Sequence, residues 1–403
     1  MATTTTERAG ASGRRSFRLA SLSVGALILG ASLSLAPAGL AGAALPAADI
    51  VTVSDPGNLS SVTGTPISNV DLTATSNIAV PHDARGVATG ADGTIFVADP
   101  TANVVDRIAP SGAVTVVAGI PGSAGSPTPG PATSSALDGP SGVALAADGT
   151  LYIADTYNNR VEAVSPSGTL SVAAGTGTVG APRPGPATAS RLYRPQGVAV
   201  GGDGSLYIAD TSNNRVERVD GDGILSVLAG TGPAGPPTPG AATASKLNGP
   251  RGVAVDGSTV YIADYGNYVV EQVVAGSLSV AAGTGTGGAP TPGPATASRL
   301  KNPTGVAAGA GTLLIADPGN SVVEAVTEGT LAVVAGTGTG GTPTPGPATA
   351  SDLGAPASVA IAPDGGFVIG DTTDLGVDTV DAGGTLAVVD ARSDRSDATV
   401  TWS

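Results

Sequence analysis

The strongest constraint on this fold is a repeat of about 54 residues that fills most of the chain. Each copy contains a short strand-like run that ends in an aspartate, and successive aspartates are 56, 55, 54, 53 and 54 residues apart. The six aspartates are Asp99, Asp155, Asp210, Asp264, Asp317 and Asp371. Each copy holds four short apolar runs separated by Gly, Asp and Asn, which is typical of an antiparallel meander. The regular period predicts units that pack on their neighbours in radial or solenoid repetition.

The meanders predict an all-β fold, a six-bladed β-propeller in which every blade is a four-stranded antiparallel sheet. In such a ring each sheet packs face to face on its neighbours, and only short strand edges remain. The inner strands are expected at Gly142-Val143-Ala144 and its counterparts, because small residues suit a crowded axis. Asp-Gly pairs, of which Asp92-Gly93 is the first, predict type I′ hairpins before the second strands.

The repeat divides the chain into four parts. Residues 1–43 are predicted to be a signal peptide, and residues 83–390 are predicted to be the propeller. Residues 44–82 contain two strand-like runs and are interpreted as an N-terminal strand segment or stalk, and residues 391–403 as a C-terminal strand. A seventh blade formed from these two end segments is the alternative to six blades.

The signal-peptide prediction rests on three consecutive features. Four arginines lie within the first 18 residues, residues 19–36 are apolar, and Ala41-Gly42-Ala43 forms an A-x-A cleavage pattern. The pair Arg14-Arg15 is compatible with a twin-arginine signal or with an ordinary Sec signal. We therefore expect a secreted, cell-surface or periplasmic protein.

Composition narrows the classes of partner and chemistry. The formal net charge is −14, which argues against nucleic acid and anionic membranes as partners. No apolar run after the signal peptide is long enough for membrane insertion. The one histidine, His82, precedes the repeats, so no histidine-dependent triad or histidine metal site is expected inside them. The sequence therefore assigns no catalytic residue, no metal ligand and no cofactor.

Motifs in the second and third copies carry a family resemblance. The third copy reads Pro195-Gln196-Gly197-Val198-Ala199-Val200, Leu206-Tyr207-Ile208-Ala209-Asp210 and Asn213-Asn214-Arg215-Val216. The chain resembles the NHL-repeat β-propellers, and its link ending in Ala242-Thr243-Ala244-Ser245-Lys246-Leu247 is similar to that of teneurin-type and bacterial NHL proteins. The resemblance covers six repeats and implies a propeller used mainly for binding.

One face of the ring is expected to carry both the long links between blades and the turns that follow the strand-ending aspartates. We call it the link face, and loops on a rigid scaffold commonly carry function. The residue just before each inner strand varies between copies and is expected to ring the channel mouth on this face. These ligand-binding candidates are Arg85, Ser141, Gln196, Arg251 and Thr304, with Ala357 in the sixth copy. The variation indicates either a ligand-specific ring or relaxed constraint at an exposed position.

Three tyrosines in the turns of the link face complete the set of candidates. Tyr157, Tyr265 and Tyr268 each combine an apolar ring face with a polar tip, which suits peptide or sugar binding. Packing against the neighbouring links is the alternative.

Two sets of acids recur in all six copies. The strand-ending aspartates are predicted to cap their own turns through backbone N–H groups. The acids of the third strand are predicted to have a shared packing or solvent-facing role, with attraction of cations as the alternative. They are Asp106, Glu162, Glu217, Glu271, Glu324 and Asp378.

These features favour a secreted, non-catalytic NHL-repeat propeller that binds a protein, a peptide or a glycan on its link face. The alternative is a metal-dependent lactonase- or lyase-like propeller enzyme. A purely structural surface protein is the third hypothesis.

Overall fold

The structure is a computed structural model, and it describes residues 83–373 and 376–389. These residues form six antiparallel sheets that follow one another along the chain. The signal peptide, the segment 44–82 and the C-terminal strand lie outside the described residues, and so does the seventh blade that would use them. Within the described ranges, no helix is long and apolar enough to cross a membrane.

Each sheet is one blade and is built from one stretch of chain. Blade 1 contains β1 (Gly86–Thr89), β2 (Ile95–Asp99), β3 (Val104–Ile108) and β4 (Val114–Gly119). Blade 2 contains β5 (Gly130–Pro131), β6 (Pro140–Leu145), β7 (Leu151–Asp155), β8 (Arg160–Val164) and β9 (Thr169–Ala174). Blade 3 contains β10 (Gly185–Pro186), β11 (Gly197–Val200), β12 (Leu206–Asp210), β13 (Arg215–Val219) and β14 (Ile224–Ala229).

The last three blades repeat this order. Blade 4 contains β15 (Gly240–Ala241), β16 (Pro250–Asp256), β17 (Thr259–Asp264), β18 (Val269–Val274) and β19 (Ser277–Ala282). Blade 5 contains β20 (Gly293–Pro294), β21 (Gly305–Gly309), β22 (Thr312–Asp317), β23 (Val322–Thr327) and β24 (Thr330–Ala335). Blade 6 contains β25 (Gly346–Pro347), β26 (Pro356–Ile361), β27 (Phe367–Asp371), β28 (Gly376–Val380) and β29 (Thr385–Val389).

Short 3-10 turns accompany the strands. One follows the first strand of each of blades 2 to 6: Ala132–Ser134, Ala187–Ala189, Ala242–Ala244, Ala295–Ala297 and Ala348–Ala350. Two more follow strand-ending aspartates: Thr211–Asn213 and Tyr265–Asn267.

The blades differ from the four-stranded prediction by one short strand. In blades 2 to 6, two residues of the link that leads into the blade pair with its outer strand, as β5 does with Thr169 and Leu170 of β9. The described part of blade 1 has four strands. The prediction was therefore wrong for five blades, because a proline-rich link has no strand pattern. Proline is nevertheless tolerated there, since at a sheet edge its missing N–H removes no ladder bond.

The predicted type I′ turns at the Asp-Gly pairs are also wrong. In the β1–β2 loop, the N–H of Gly93 donates to the carbonyl of Gly90 over 3.0 Å, and Gly93 has a φ of 81°. Asp92 keeps a negative φ, and its Oδ1 accepts from the N–H of Thr94 over 3.0 Å. The N–H of Gly90 donates to the carbonyl of Thr94 over 2.7 Å, so three residues lie between this pair. The loop is therefore a type I turn followed by a glycine bulge rather than a two-residue turn.

The hydrophobic core lies between the blades. The interface of blades 1 and 2 buries Leu137, Ile153 and Leu170 completely. The ring closes between blades 6 and 1, where Val87 and Val368 belong to one buried cluster. Neighbouring blades cover both faces of every blade. Successive strand residues, which point to opposite faces, are therefore both apolar at these interfaces.

The inner strands approach one another closely at the axis, where most of them have a glycine directly before their valine. There is no room for a side chain at this glycine. A Cβ atom on Gly142, Gly197 or Gly252 would overlap a backbone carbonyl of the next blade. Blade 6 has Ser358 here, and Gly370 stands opposite it where the other blades have alanine. The side chain that Ser358 adds on β26 is thus offset by the missing side chain of Gly370 on β27.

Candidate ligand-binding site at the channel mouth

The variable residues at the start of the inner strands, or just before them, meet at the channel mouth on the link face. They form a ring because the inner strands converge on the axis. This ring lines a cavity of about 400 Å³, within the range of roughly 300–1,000 Å³ that is typical of small-molecule sites. Its members are Arg85, Ser141, Gln196, Arg251, Thr304 and Ala357. The structure thus brings together all five predicted ring candidates, whose binding role stays a prediction.

Two arginines supply the charge of the cavity. Arg251 is half-buried, and its Cζ lies 3.4 Å from the centroid of the Tyr265 ring, which is a cation–π contact. Burial lowers the pKa of the Arg251 guanidinium, while Tyr265 opposes this change and the charge of Arg85 adds to it. The exposed Arg85 has its Nη2 3.8 Å from Oδ2 of Asp83. Within the described residues, no carboxylate forms an ion pair with Arg251.

The uncharged members of the ring differ in whether their side chains already form hydrogen bonds within the protein. Thr304 Oγ1 donates to the carbonyl of Ala357 over 2.8 Å. Ser141 Oγ accepts from Oγ1 of Thr156 over 2.8 Å. The half-buried carboxamide of Gln196 makes no hydrogen bond to any described residue. Its amide group and oxygen are therefore available to a ligand.

Below the ring the wall of the cavity becomes apolar. Every inner strand has a valine two residues after its ring residue, and all six valines line the cavity: Val87, Val143, Val198, Val253, Val306 and Val359. The site therefore combines a polar, cationic rim with an apolar floor.

The structure separates the three predicted tyrosines. Tyr265 lines the cavity, whereas Tyr157 and Tyr268 do not. Tyr265 directly follows its strand-ending aspartate, but Tyr157 comes two residues after Asp155, and Tyr268 comes four after Asp264. Position within the turn, which the sequence-based grouping ignored, thus decides which tyrosine reaches the axis.

The two tyrosines outside the cavity pack on the links. The ring of Tyr157 covers Gly139 and lies 5.5 Å from Cζ of Arg194, although the residue is 54% exposed. The ring of Tyr268 packs against Gly287. Both make the packing contacts that the alternative predicted, and a role of either in binding stays a prediction.

The sequence-based prediction missed five polar or turn residues of the cavity: Asn302, Pro318, Gly319, Ser358 and Thr372. Pro318 and Thr372 directly follow strand-ending aspartates, as Tyr265 does. Comparing the copies at this one turn position would have found them.

The strand-ending aspartates are buried, and their carboxylates accept hydrogen bonds from residues of the turns and links. In blade 1, Asp99 caps its own turn as predicted, with Oδ1 accepting from the N–H of Ala102 over 2.8 Å. In blade 3, Asp210 instead accepts from the N–H of Tyr193 at 2.7 Å and from Nδ2 of Asn213 at 2.6 Å. Asn213 also donates to the carbonyl of Gly180 over 2.7 Å. The same pattern in blades 2, 4 and 5 joins each link to its turn.

The third-strand acids do not face solvent, so that part of their prediction was wrong. Each is at most 1% exposed, because neighbouring blades cover both faces of the strand. Burial raises the pKa of Asp106 to about 7 and that of Glu162 to about 8. In the residues that the structure describes, no group of three or more His, Cys, Asp and Glu is placed to hold a metal ion.

Comparison with known proteins supports the family resemblance. A family model of the NHL repeat matches residues 137–163 and 192–218. The chain is 34% identical over 85 residues to "Protein SUPPRESSOR OF QUENCHING 1, chloroplastic" of Arabidopsis thaliana, and this match covers 21% of this chain. It is 35% identical over 72 residues to "NHL repeat-containing protein 2" of Homo sapiens, which covers 17% of this chain. The matches span only 8% and 10% of these two relatives.

Solved structures share the fold at low sequence identity. An auxiliary nutrient binding protein from Bacteroides thetaiotaomicron has a TM-score of 0.55 at 12% identity, and the match covers 76% of this chain and 69% of that one. A gluconolactonase from Xanthomonas campestris has a TM-score of 0.50 at 14% identity, with coverage of 77% and 87%. The fold alone therefore does not separate binding from catalysis. The family model thus identifies two NHL repeats, in blades 2 and 3, and the solved structures show that the β-propeller fold is shared.

Proposed function

We propose that this chain is a binding protein whose ligand occupies the cavity at the channel mouth. The observation that carries the proposal is that the six ring positions, which differ from blade to blade, converge on one cavity. The constant residues of the repeat form the blades and the hydrogen bonds that join links to turns, whereas the six ring positions meet at one site. The ligand is a small molecule, or the projecting end of a peptide, glycan or protein, that fits about 400 Å³.

The charge of the cavity supports binding over the enzyme alternative. A lactonase- or lyase-like propeller that uses a divalent ion needs carboxylate or imidazole ligands around that ion. Here the charged groups on the cavity wall are the guanidiniums of Arg85 and Arg251, and both repel a metal cation. Binding of a polar ligand uses the groups as they stand.

A cavity-blocking variant tests the proposal. Small molecules, dipeptides and oligosaccharides are screened against the full chain for ligands that raise its unfolding temperature, since a ligand of the folded state stabilises it. We expect the Kd of such ligands, measured by calorimetry, to rise at least tenfold in Ala357→Trp, because the indole fills the cavity from its rim. Tyr157→Ala, on the same face but outside the cavity, serves as the matched control. Ligands that bind Ala357→Trp as tightly as the parent chain would place the site elsewhere and contradict the proposal.

We further propose that the propeller acts after export, on the basis of the arginine, apolar and A-x-A segments of residues 1–43. We expect the N-terminus of the exported protein to be Ala44, as determined by mass spectrometry. Replacing both Arg14 and Arg15 with lysine stops export by the twin-arginine route and spares the Sec route. Recovery of an intact chain that still begins before residue 43 in the exported fraction would contradict the cleavage prediction.

A further inference from the structure

We propose that the ligand of the channel mouth is an organic anion, a carboxylate or phosphate with an apolar body, held between Arg85 and Arg251. This inference rests on the proposed function and adds the chemical class of the ligand. It follows from the order of the blades, the pairing state of the two arginines and the layered wall of the cavity.

The two arginines lie on opposite sides of the axis. Arg85 directly precedes the inner strand of blade 1, and Arg251 is the second residue of that of blade 4. The ring of six blades is closed, with Thr89 Oγ1 of blade 1 donating to the carbonyl of Ile361 in blade 6 over 2.6 Å. Blades 1 and 4 are therefore opposite, and two like charges face each other across one cavity.

Neither guanidinium is fully neutralised by the protein. Arg251 stacks on Tyr265 and has no carboxylate partner within the described residues, and Arg85 has one contact with Asp83 at 3.8 Å, near the limit for an ion pair. No acid is among the described residues that line the cavity. In a chain of net charge −14, this rim is a local concentration of positive charge. An anion between the two arginines relieves their repulsion and gains charge-assisted hydrogen bonds from both.

The rest of the cavity indicates what the anion is attached to. The six valines below the rim expose 5–8% of their surface, and the small area that they present to the cavity is apolar and cannot hydrogen-bond. The free carboxamide of Gln196 adds a donor and an acceptor at the rim. The cavity of about 400 Å³ is larger than an inorganic ion needs, which is why we propose an organic anion.

Isosteric probes test the charge requirement. Phenylacetate and phenyl phosphate carry the anion, and phenylacetamide is the neutral counterpart of the first. We expect calorimetry on the full chain to give a Kd for each anion about tenfold or more below that of the amide, since a charged acceptor strengthens hydrogen bonds from arginine. Binding of the anions is also expected to weaken as sodium chloride is raised.

Variants assign the effect to the two arginines. We expect Arg251→Gln and Arg85→Gln each to raise the Kd of phenylacetate about tenfold or more and to leave that of phenylacetamide nearly unchanged. Arg194→Gln removes a cation from the same face outside the cavity and is expected to leave both Kd values unchanged. Unfolding temperatures of the variants report that the fold is intact.

The outcomes separate this inference from the proposed function. If phenylacetamide or sugars bind in a manner that Ala357→Trp abolishes, and the anions bind no better, the cavity is a binding site but the ligand is not an anion. If anions bind equally to Arg251→Gln, to Arg85→Gln and to the parent chain, the paired-arginine site is wrong. If no compound binds in a manner that Ala357→Trp abolishes, both proposals fail.

Discussion

Glu162→Gln is expected to raise the unfolding temperature at pH 8 and to leave it nearly unchanged at pH 4. Glu162 is fully buried in β8, and neither carboxyl oxygen has a hydrogen-bond partner in the described residues. Burial and the neighbouring Asp155 raise its pKa to about 8 against partial compensation by Arg160. Below about pH 8 the folded protein therefore keeps this carboxyl largely protonated, and glutamine reproduces the shape and the hydrogen-bond donor of that neutral form.

The sign of the effect follows from the protons that each state binds. Below pH 4.5, the usual value for glutamate, both the folded and the unfolded chain hold the proton, and the carboxyl adds no pH dependence. Between pH 4.5 and about 8 the unfolded chain releases the proton while the folded chain keeps it. The free energy of unfolding then falls by about 1.4 kcal/mol per pH unit for each such carboxyl, and the fall ends above the folded pKa.

The same loss is expected in the other blades, because Glu217, Glu271 and Glu324 are equally buried and their pKa values are raised by burial as well. The parent chain should thus be more stable at pH 5 than at pH 8. Thermal unfolding at half-unit intervals from pH 4 to pH 8.5 measures both effects. Glu328→Gln removes the same formal charge from an exposed turn and controls for net charge. A benefit of Glu162→Gln that is equal at all pH values, or matched by Glu328→Gln, would refute the account.

The period of the aspartates was enough to predict the architecture. A spacing of 53 to 56 residues with four strand-like runs per copy leaves few alternatives to a ring of meanders, and the six described sheets confirm it. The fifth strand was missed because Gly130–Pro131 and its counterparts are two-residue edges. Their pairing depends on where the outer strand lies and not on their own composition.

The candidate site was predicted only in part, because the sequence shows which positions vary between copies but not where each side chain lies. Internal comparison of the copies identified the ring at Arg85 and Arg251, since a position that varies within a constant repeat is visible in one sequence. Which turn residue points to the axis depends on backbone direction, so Tyr157 was grouped with Tyr265 although only Tyr265 reaches the cavity. The burial of Glu162 was predictable in principle, because a blade packed on both sides has no solvent-facing strand position at its centre.

Gly197→Ala is expected to destabilise the contact between the inner strands of blades 3 and 4. The Cβ atom would overlap the carbonyl of Arg251 and lie 3.1 Å from Cα of Gly252, both in the backbone of blade 4. A flexible side chain could move aside, but two backbones held in neighbouring sheets cannot separate without opening the interface between blades 3 and 4. Overpacking of this kind costs about 1–3 kcal/mol, which for a chain of this size corresponds to a fall of roughly 2–10 °C in the unfolding temperature.

Gly202→Ala provides the matched control, because it makes the same chemical change in the same blade. Gly202 has no atom within 4 Å of the added Cβ and no positive φ, so alanine should leave the unfolding temperature unchanged or raise it slightly by restricting the unfolded chain. Both variants are measured by calorimetry beside the parent chain. Equal unfolding temperatures for Gly197→Ala and Gly202→Ala would mean that the inner strands are farther apart than the structure shows. The cavity wall would then have to be drawn wider, because Arg251 belongs both to this contact and to the proposed anion site.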